Sequence, residues 1–220
     1  MSASEVAIWV DQTNRFLRQV KGVIHVGANS GQERKLYAGH ALPVVWVEPI
    51  PEVYNRLQTN LADYPKQQGF NYLITDVDGQ DYPFHISNNS GQSSSIYDLK
   101  EHSNLWPDVY YLASTRMQST RLDTMFHREG LNIADYDTLV MDTQGSELLV
   151  LQGMGALLDG IKWIRTEAAD CEMYEGSCQI KDLDEFLIPK GFQRVQTDRG
   201  KWLPGLGGCY ELLYVKKIII

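Results

Sequence analysis

The sequence predicts an α/β fold built on a doubly wound, mostly parallel sheet, and three observations predict it. Short apolar runs at Val23–Val26, Val44–Val47 and Thr138–Met141 have the length of buried strands rather than of helices. Each is followed by a turn and then by apolar residues at helical spacing, and strands alternating with helices imply parallel crossovers. The chain has 220 residues, which fits one domain of this kind and not two of full size.

Taken in order, residues 3–20 carry Val6, Trp9/Val10, Thr13, Phe16/Leu17 and Val20 at spacings of three and four. This predicts an amphipathic helix within residues 1–22, ahead of a single domain over 23–220. Val23-Ile24-His25-Val26 is the first strand, Gly27 begins the turn, and Ser30 to Ala38 can form a helix. Val44-Val45-Trp46-Val47 is the second, and Pro49 and Pro51 punctuate a helix with Val53/Tyr54, Leu57 and Leu61 on one face. A third strand is expected over Phe70 to Thr75. Thr138–Met141 is the fourth, leading through Asp142 and Gly145 into a helix with Leu148, Leu149 and Leu151, and Ile161 to Thr166 the fifth. A last helix with Ile180, Leu183 and Phe186/Leu187 stops at Pro189-Lys190-Gly191. Phe192–Val195 and Tyr210–Val215 then read as an antiparallel pair at the sheet edge. Residues 87–106, rich in Ser and Asn, and 199–209, rich in Gly, fit no regular element. They read as covers over a site or as plain surface loops.

Hydrophobic residues are 43% and charged residues 22% of the chain, which excludes disordered and fibrous classes. The net charge of −8 has the wrong sign for a protein that grips long nucleic acid through its phosphates. No apolar stretch approaches a membrane span and no leader pattern stands out, so a cytoplasmic protein away from the membrane is expected. Cys171, Cys178 and Cys209 lack paired zinc spacing and read as reduced structural thiols. The N-terminal helix and Ile218-Ile219-Ile220 offer apolar surface for a homodimer.

In a doubly wound sheet, ligands bind at the carboxyl ends of the strands, where Gly27-Ala28-Asn29-Ser30-Gly31 stands. Glycine at 27 and 31 allows a tight turn and close approach of a ligand. Glu48 ends the second strand, where a carboxylate accepts hydrogen bonds from ribose hydroxyls. The plainer alternatives are that Glu48 caps the helix near Pro51 and that Gly27 packs helix against strand. A dinucleotide loop needs glycine at its middle position to admit a pyrophosphate, and Asn29 stands there. S-adenosylmethionine has no pyrophosphate, so the loop favours a methyl donor over a nicotinamide.

The chain resembles the FkbM family of S-adenosylmethionine-dependent methyltransferases from about Val23 onward. Val23 to Glu33 is similar to the family's first motif, and Val45-Trp46-Val47-Glu48-Pro49 with Leu57 and Asn60-Leu61 to its second. Asn88 with Ser93-Ser94-Ser95-Ile96 resembles its serine-rich segment, and Thr120-Arg121-Leu122-Asp123 its T-x-L-D. Met141 to Glu147 with Leu151-Gln152-Gly153 resembles its D-x-x-G-x-E…L-x-G. The resemblance implies a Rossmann-like, seven-stranded class I methyltransferase, with Gly27 to Gly31 beside the methionine portion of the cofactor and Glu48 on its ribose. It also implies adenine contacts from Thr75 and Asp76. His25 replaces an acidic residue common in the family, which leaves the cofactor's amino group to Glu33 or to carbonyls around Gly27.

Methyl transfer to a hydroxyl needs alignment and a way to remove the acceptor's proton. Asp142 and Glu167, at the ends of adjacent strands, are expected to supply it. They would act as a base, or would hold a divalent cation such as Mg²⁺ with Asp170 as third ligand. The bland reading makes them a helix cap and an ion-pair partner of Arg165 or Lys162, with Glu147 tying down the turn. His102 is a second base candidate if its loop folds over the site, and otherwise a solvated histidine. Tyr174 and Trp202 are candidate walls for a ringed acceptor, or ordinary packing at the sheet edge. The expected function is therefore O-methylation of a small molecule or saccharide. A nicotinamide-dependent oxidoreductase and a non-catalytic binding module are the alternatives.

Overall fold

The computed structural model describes residues 15–217. A 3₁₀ turn over Arg15–Gln19 buries Phe16 and Leu17. The remainder of the expected N-terminal helix, and Ile218 to Ile220, lie outside the described residues.

The elements that follow are β1 (Val23–Val26), α1 (Arg34–Gly39), β2 (Val44–Val47), α2 (Pro51–Leu61), β3 (Gln67–Phe70) and β4 (Leu73–Thr75). Next come β5 (Asp81–Ser87), α3 (His102–Leu105), β6 (Tyr111–Arg121), α4 (Leu122–Arg128), β7 (Thr138–Met141), α5 (Glu147–Gln152) and α6 (Leu157–Gly160). The chain closes with β8 (Trp163–Ala169), α7 (Ile180–Leu187), β9 (Phe192–Leu203) and β10 (Gly207–Lys216). The main sheet has seven strands in the order β3-β2-β1-β7-β8-β10-β9. Pairing is parallel from β3 through β8, and β10 alone runs antiparallel to both its neighbours.

All four residues of β1, β2 and β7 are buried, because helices cover both faces of the sheet. Ile24, Val45, Leu139, Ile164 and Leu212 point to one side, where Val150, Leu151 and Leu183 meet them. Val23, Trp46, Val140 and Leu213 point to the other, against Phe16, Leu17, Tyr37 and Leu57. The chain reverses its order of travel between β1 and β7, and the crevice at that reversal lies beyond their carboxyl ends.

Four sequence expectations are corrected. The third strand of the sheet is Gln67–Phe70; Leu73–Thr75 leaves it to pair with Ser119 to Arg121 of β6 in a separate three-stranded sheet, β4-β6-β5. The first helix begins at Arg34, because residues 29–33 form a turn with Asn29 at φ 43° and Gly31 at φ 72°. β8 continues past Glu167 to Ala169, held there by its pairing with Cys209. Residues 199–209 are no loose loop, since β9 and β10 run on as a hairpin turned at residues 204–206.

Candidate active site

Two cavities open at the carboxyl ends of the strands, and Gln92, Asp142 and Gln144 line both. The first, of about 210 Å³, is bounded by the β1 turn from His25 to Asn29, by Glu33, and by Glu48 and Pro49 after β2. Its far side is apolar, made of Tyr72, Leu73, Ile74, Phe84 and Ile96.

Glu48 is 4% exposed, yet carries a carboxylate. Oε2 accepts the Asn29 backbone N–H at 2.8 Å and Oε1 that of Ile50 at 2.9 Å. Burial outweighs these two bonds and raises its pKa to about 7. Ile50 is the cap residue of α2, so the capping alternative is also true of this side chain. Each oxygen has further lone-pair capacity, so capping does not preclude a ligand hydroxyl. His25 stacks on Trp46 at 4.7 Å and shares a 3.2 Å hydrogen bond between Nδ1 and the Tyr37 hydroxyl. Burial lowers its pKa to about 4, so it stands neutral at physiological pH.

The glycines of the β1 turn make the tight turn expected of them, both at positive φ, and also fit the packing alternative. A Cβ on Gly27, at φ 83°, would lie 1.9 Å from the carbonyl oxygen of Asp142, and one on Gly31 would lie 2.7 Å from Leu57. They let backbone approach backbone and helix, and Gly27 also lines the first cavity. Asn29 tolerates its left-handed backbone by turning Oδ1 onto the Ser30 N–H at 2.8 Å, while Nδ2 reaches the Ser90 carbonyl at 3.2 Å.

The second cavity, of about 230 Å³, joins Asp142 and Glu167 to Ser93, His102, Trp106, Tyr174 and Cys209. Asp142 presents its carboxylate to the cavity, and the Gln144 side chain donates to it. Gln144 in turn accepts from the Tyr174 hydroxyl. The turn itself is tied down by Glu147, whose Oε1 accepts the Thr143 N–H at 2.9 Å and the Thr143 hydroxyl at 3.0 Å, and whose Oε2 accepts the Gly145 N–H at 3.1 Å. Desolvation, then the neighbouring charge of Glu167, raises the Asp142 pKa above its ordinary value. Glu167 is raised as well, first by burial and then by Glu211, which faces it across β10. Glu211 itself is held by Arg165 at 3.0 Å. The ion pair of the alternative reading therefore goes to its neighbour, and Glu167 lines the cavity with the Cys209 thiol as its hydrogen-bond partner.

Other expected site residues fall elsewhere. Thr75 and Asp76 do not line the first cavity, because the strand they were assigned to ends at Phe70. The Thr75 hydroxyl donates to the Val77 carbonyl at 3.2 Å, and the Asp76 carbonyl accepts from Arg121 at 2.9 Å. Asp170 turns away from Asp142 and Glu167 and accepts the Gly208 N–H and the Tyr210 hydroxyl, both at 2.8 Å. Among the described residues no three His, Cys, Asp or Glu side chains converge as a metal site, so the expected cation finds no ligand set. Trp202 lies on the hairpin beneath Arg199, outside both cavities. His102 is 4% exposed, not a solvated loop residue. The serine segment is ordered between the cavities: Ser95 donates to the Gln144 carbonyl at 2.8 Å, and its backbone pairs with His85.

Sequence reasoning missed Tyr72, Leu73, Phe84, Gln144, Cys178 and Cys209 as cavity residues. Only Gln144 carried a signal, its place in the motif after Asp142. Leu73 and Phe84 reach the cavities through the second sheet, with Tyr72 just ahead of it, Cys209 through β10, and Cys178 from the segment between β8 and α7, and all of these positions follow from tertiary packing.

A sheet in this order, with a single antiparallel strand and a crevice at the β1/β7 reversal, is the fold of the class I methyltransferases. Magnesium protoporphyrin IX methyltransferase (ChlM) from Synechocystis PCC 6803, solved with bound SAH, shares it at a TM-score of 0.50 and 12% identity, over 97% of this chain and 80% of that one. The methyltransferase domain of bacterial CtHen1 shares it at 0.51 and 10% identity, over 95% of each chain. More specifically, the family model described as methyltransferase FkbM domain matches residues 25–195, and the chain belongs to that family. The 2-O-methyltransferase NoeI of Sinorhizobium fredii (strain NBRC 101917 / NGR234) is 28% identical over 186 residues, covering 81% of this chain and 75% of that protein. The oxidoreductase alternative is thereby set aside.

Proposed function

We propose that the chain moves the methyl group of S-adenosylmethionine onto a hydroxyl of a small molecule or saccharide. The observation that carries this reading is the pair of cavities meeting at Asp142. One offers a buried carboxylate and an apolar slot, the other a carboxylate pair and aromatic rings. NoeI, named as a 2-O-methyltransferase, supports an oxygen acceptor.

The cofactor supplies an electrophilic methyl group on sulfur. In the first cavity, Glu48 fits its ribose hydroxyls and Tyr72, Leu73, Phe84 and Ile96 fit the faces of its adenine, in place of the Thr75 and Asp76 expected from sequence. The backbone from Gly27 to Asn29, with neutral His25 and with Glu33, borders the methionine portion. Asp142, which lines both cavities, then flanks the line along which the methyl group would pass to the acceptor. A carboxylate with a raised pKa is a better base than an ordinary one, and the Asp142/Glu167 pair takes the acceptor's proton as its oxygen bonds to the methyl carbon. Because the bound cofactor's sulfur would keep the electron pair of the carbon–sulfur bond, this chain need supply no acid for the leaving group. No step passes through a metal.

Calorimetric titration with S-adenosylhomocysteine, alongside tritium transfer from labelled cofactor to a panel of hydroxyl acceptors, tests the reading. Asp142→Asn should bind S-adenosylhomocysteine like the wild type and transfer at least about 100-fold more slowly. Unchanged transfer in that variant would remove Asp142 from the reaction.

A further inference from the structure

Gln144 stands where a side chain is costly. Its backbone is left-handed, at φ 54°, and a non-glycine residue stays in that region only where its surroundings fix it. Three segments do so here. The Ser95 hydroxyl donates to the Gln144 carbonyl at 2.8 Å, and the Cys178 N–H to the Gly145 carbonyl at 3.1 Å. Glu147 accepts the N–H groups on either side, from Thr143 and Gly145. A glycine would meet the backbone demand at less cost, so the reason for glutamine lies in its side chain.

That side chain spans the Tyr174 hydroxyl and Asp142 Oδ1. Its direction follows from the state in which Asp142 acts as a base. An ionised carboxylate only accepts, so the amide presents Nε2 to Oδ1 and Oε1 to Tyr174. Tyr174 is buried, and burial first of all raises its pKa well above the ordinary value, so its hydroxyl keeps its hydrogen and donates it to Oε1. Among the hydrogen bonds of the described residues, Gln144 is the donor to the Asp142 side chain, and Oδ2 accepts none. Asp142 is exposed where it borders both cavities. The charges around it are of one sign: Glu147 of α5, Glu167 of β8 and Glu211 of β10, with the Tyr174 phenol and the Cys209 thiol alongside. Among the described residues no lysine or arginine lines either cavity, and burial keeps His25 and His102 neutral. Burial and the three carboxylates raise the Asp142 pKa, and the Gln144 amide lowers it.

We propose that Gln144 is a positioning residue for methyl transfer: oriented by Tyr174, its amide holds Oδ1 of ionised Asp142 and leaves Oδ2 to take the proton of the acceptor hydroxyl. This rests on the methyl-transfer reading and deepens it. Once donor and acceptor fill the two cavities they exclude water from Asp142. The amide then supplies the hydrogen bond that keeps the carboxylate ionised among its acidic neighbours. The acceptor oxygen bonds to the methyl carbon as its proton passes to Oδ2, and Gln144 exchanges no proton itself.

Single-turnover tritium transfer from bound S-adenosylmethionine tests it, measured from about pH 5 to pH 9 with the methyl pyranoside that takes up label best. The rate should rise through an acid limb that belongs to the Asp142/Glu167 pair. In Gln144→Met, which fills a similar space without an amide, that limb should move up by about one pH unit. Transfer should fall roughly tenfold on the limb and approach the wild type at the alkaline end. Tyr174→Phe should shift the limb the same way by less, and should add nothing in the Gln144→Met background. A uniform fall with the limb in place marks a merely structural residue and overturns the proposal. So does an unchanged profile, a wild-type rate that does not vary with pH, or a limb moved down, which would make the amide an acceptor from protonated Asp142. S-adenosylhomocysteine titration reports whether each variant is folded; should Gln144→Met fail to bind it, the Tyr174→Phe limb decides alone. A wild type that binds S-adenosylhomocysteine but labels no hydroxyl would instead sink the methyl-transfer reading, and this inference with it.

Discussion

At the scale of single residues, the site keeps carboxyls where burial opposes their charge. Glu48 illustrates the consequence for pH. Its pKa rises from 4.5 to about 7 on folding, so between those values the native state holds a proton that the unfolded chain has released. By linkage its contribution to stability is full below pH 4.5 and is lost as pH rises through about 7. Binding of a ribose runs the other way, because the ionised form is the stronger acceptor. Affinity for S-adenosylhomocysteine, followed by calorimetry from pH 6 to 8, should rise and level off. In Glu48→Gln it should fall about 10-fold to 100-fold, because an amide N–H₂ would face the backbone N–H of Asn29 or Ile50, and the pH dependence should vanish. Gly27→Ala must adopt φ 83° and push against the Asp142 carbonyl, so urea denaturation should show a loss of at least about 2 kcal/mol.

At the scale of elements, the turn between β7 and α5 is the piece on which the rest depends. Glu147 satisfies the N–H groups of Thr143 and Gly145 from a side chain that is 2% exposed. Glu147→Ala would strand those donors and release the turn that aims Asp142. Chemical denaturation should register a loss of about 3 kcal/mol, and transfer should fall even where the variant folds. This turn was legible in the sequence, as were β1, β2 and β7, because buried parallel strands are uniformly apolar and glycine marks their ends. Two other elements were not legible. β6 is mostly exposed from Leu112 to Arg116, so its alternation carries no core signal, and β4 is three residues that read as a continuation of β3. The hairpin of β9 and β10 runs beyond the body of the sheet, where exposed residues such as Arg199 and Lys201 give no strand pattern. The misjudged end of the third strand took Thr75 and Asp76 off the first cavity, the continuation of β8 turned Asp170 to the hairpin, and Trp202 takes the packing alternative on that hairpin. Glu48, Asp142 and Glu167 held their places in the crevice because the strands carrying them are fixed by core packing.

At the scale of the molecule, the crevice at the sheet reversal holds two cavities, proposed above as a donor side and an acceptor side, with the serine segment between them. Ser90 binds Asn29 on the donor side, and Ser93 binds His102 on the acceptor side. The central claim is that the methyl donor and its acceptor meet at Asp142. A crystal structure with S-adenosylhomocysteine bound tests it most directly. The account predicts ribose hydroxyls on Glu48, adenine against Leu73 and Phe84, and sulfur turned toward Asp142 and the second cavity. Ribose bound away from Glu48, or sulfur facing away from Asp142, would contradict it.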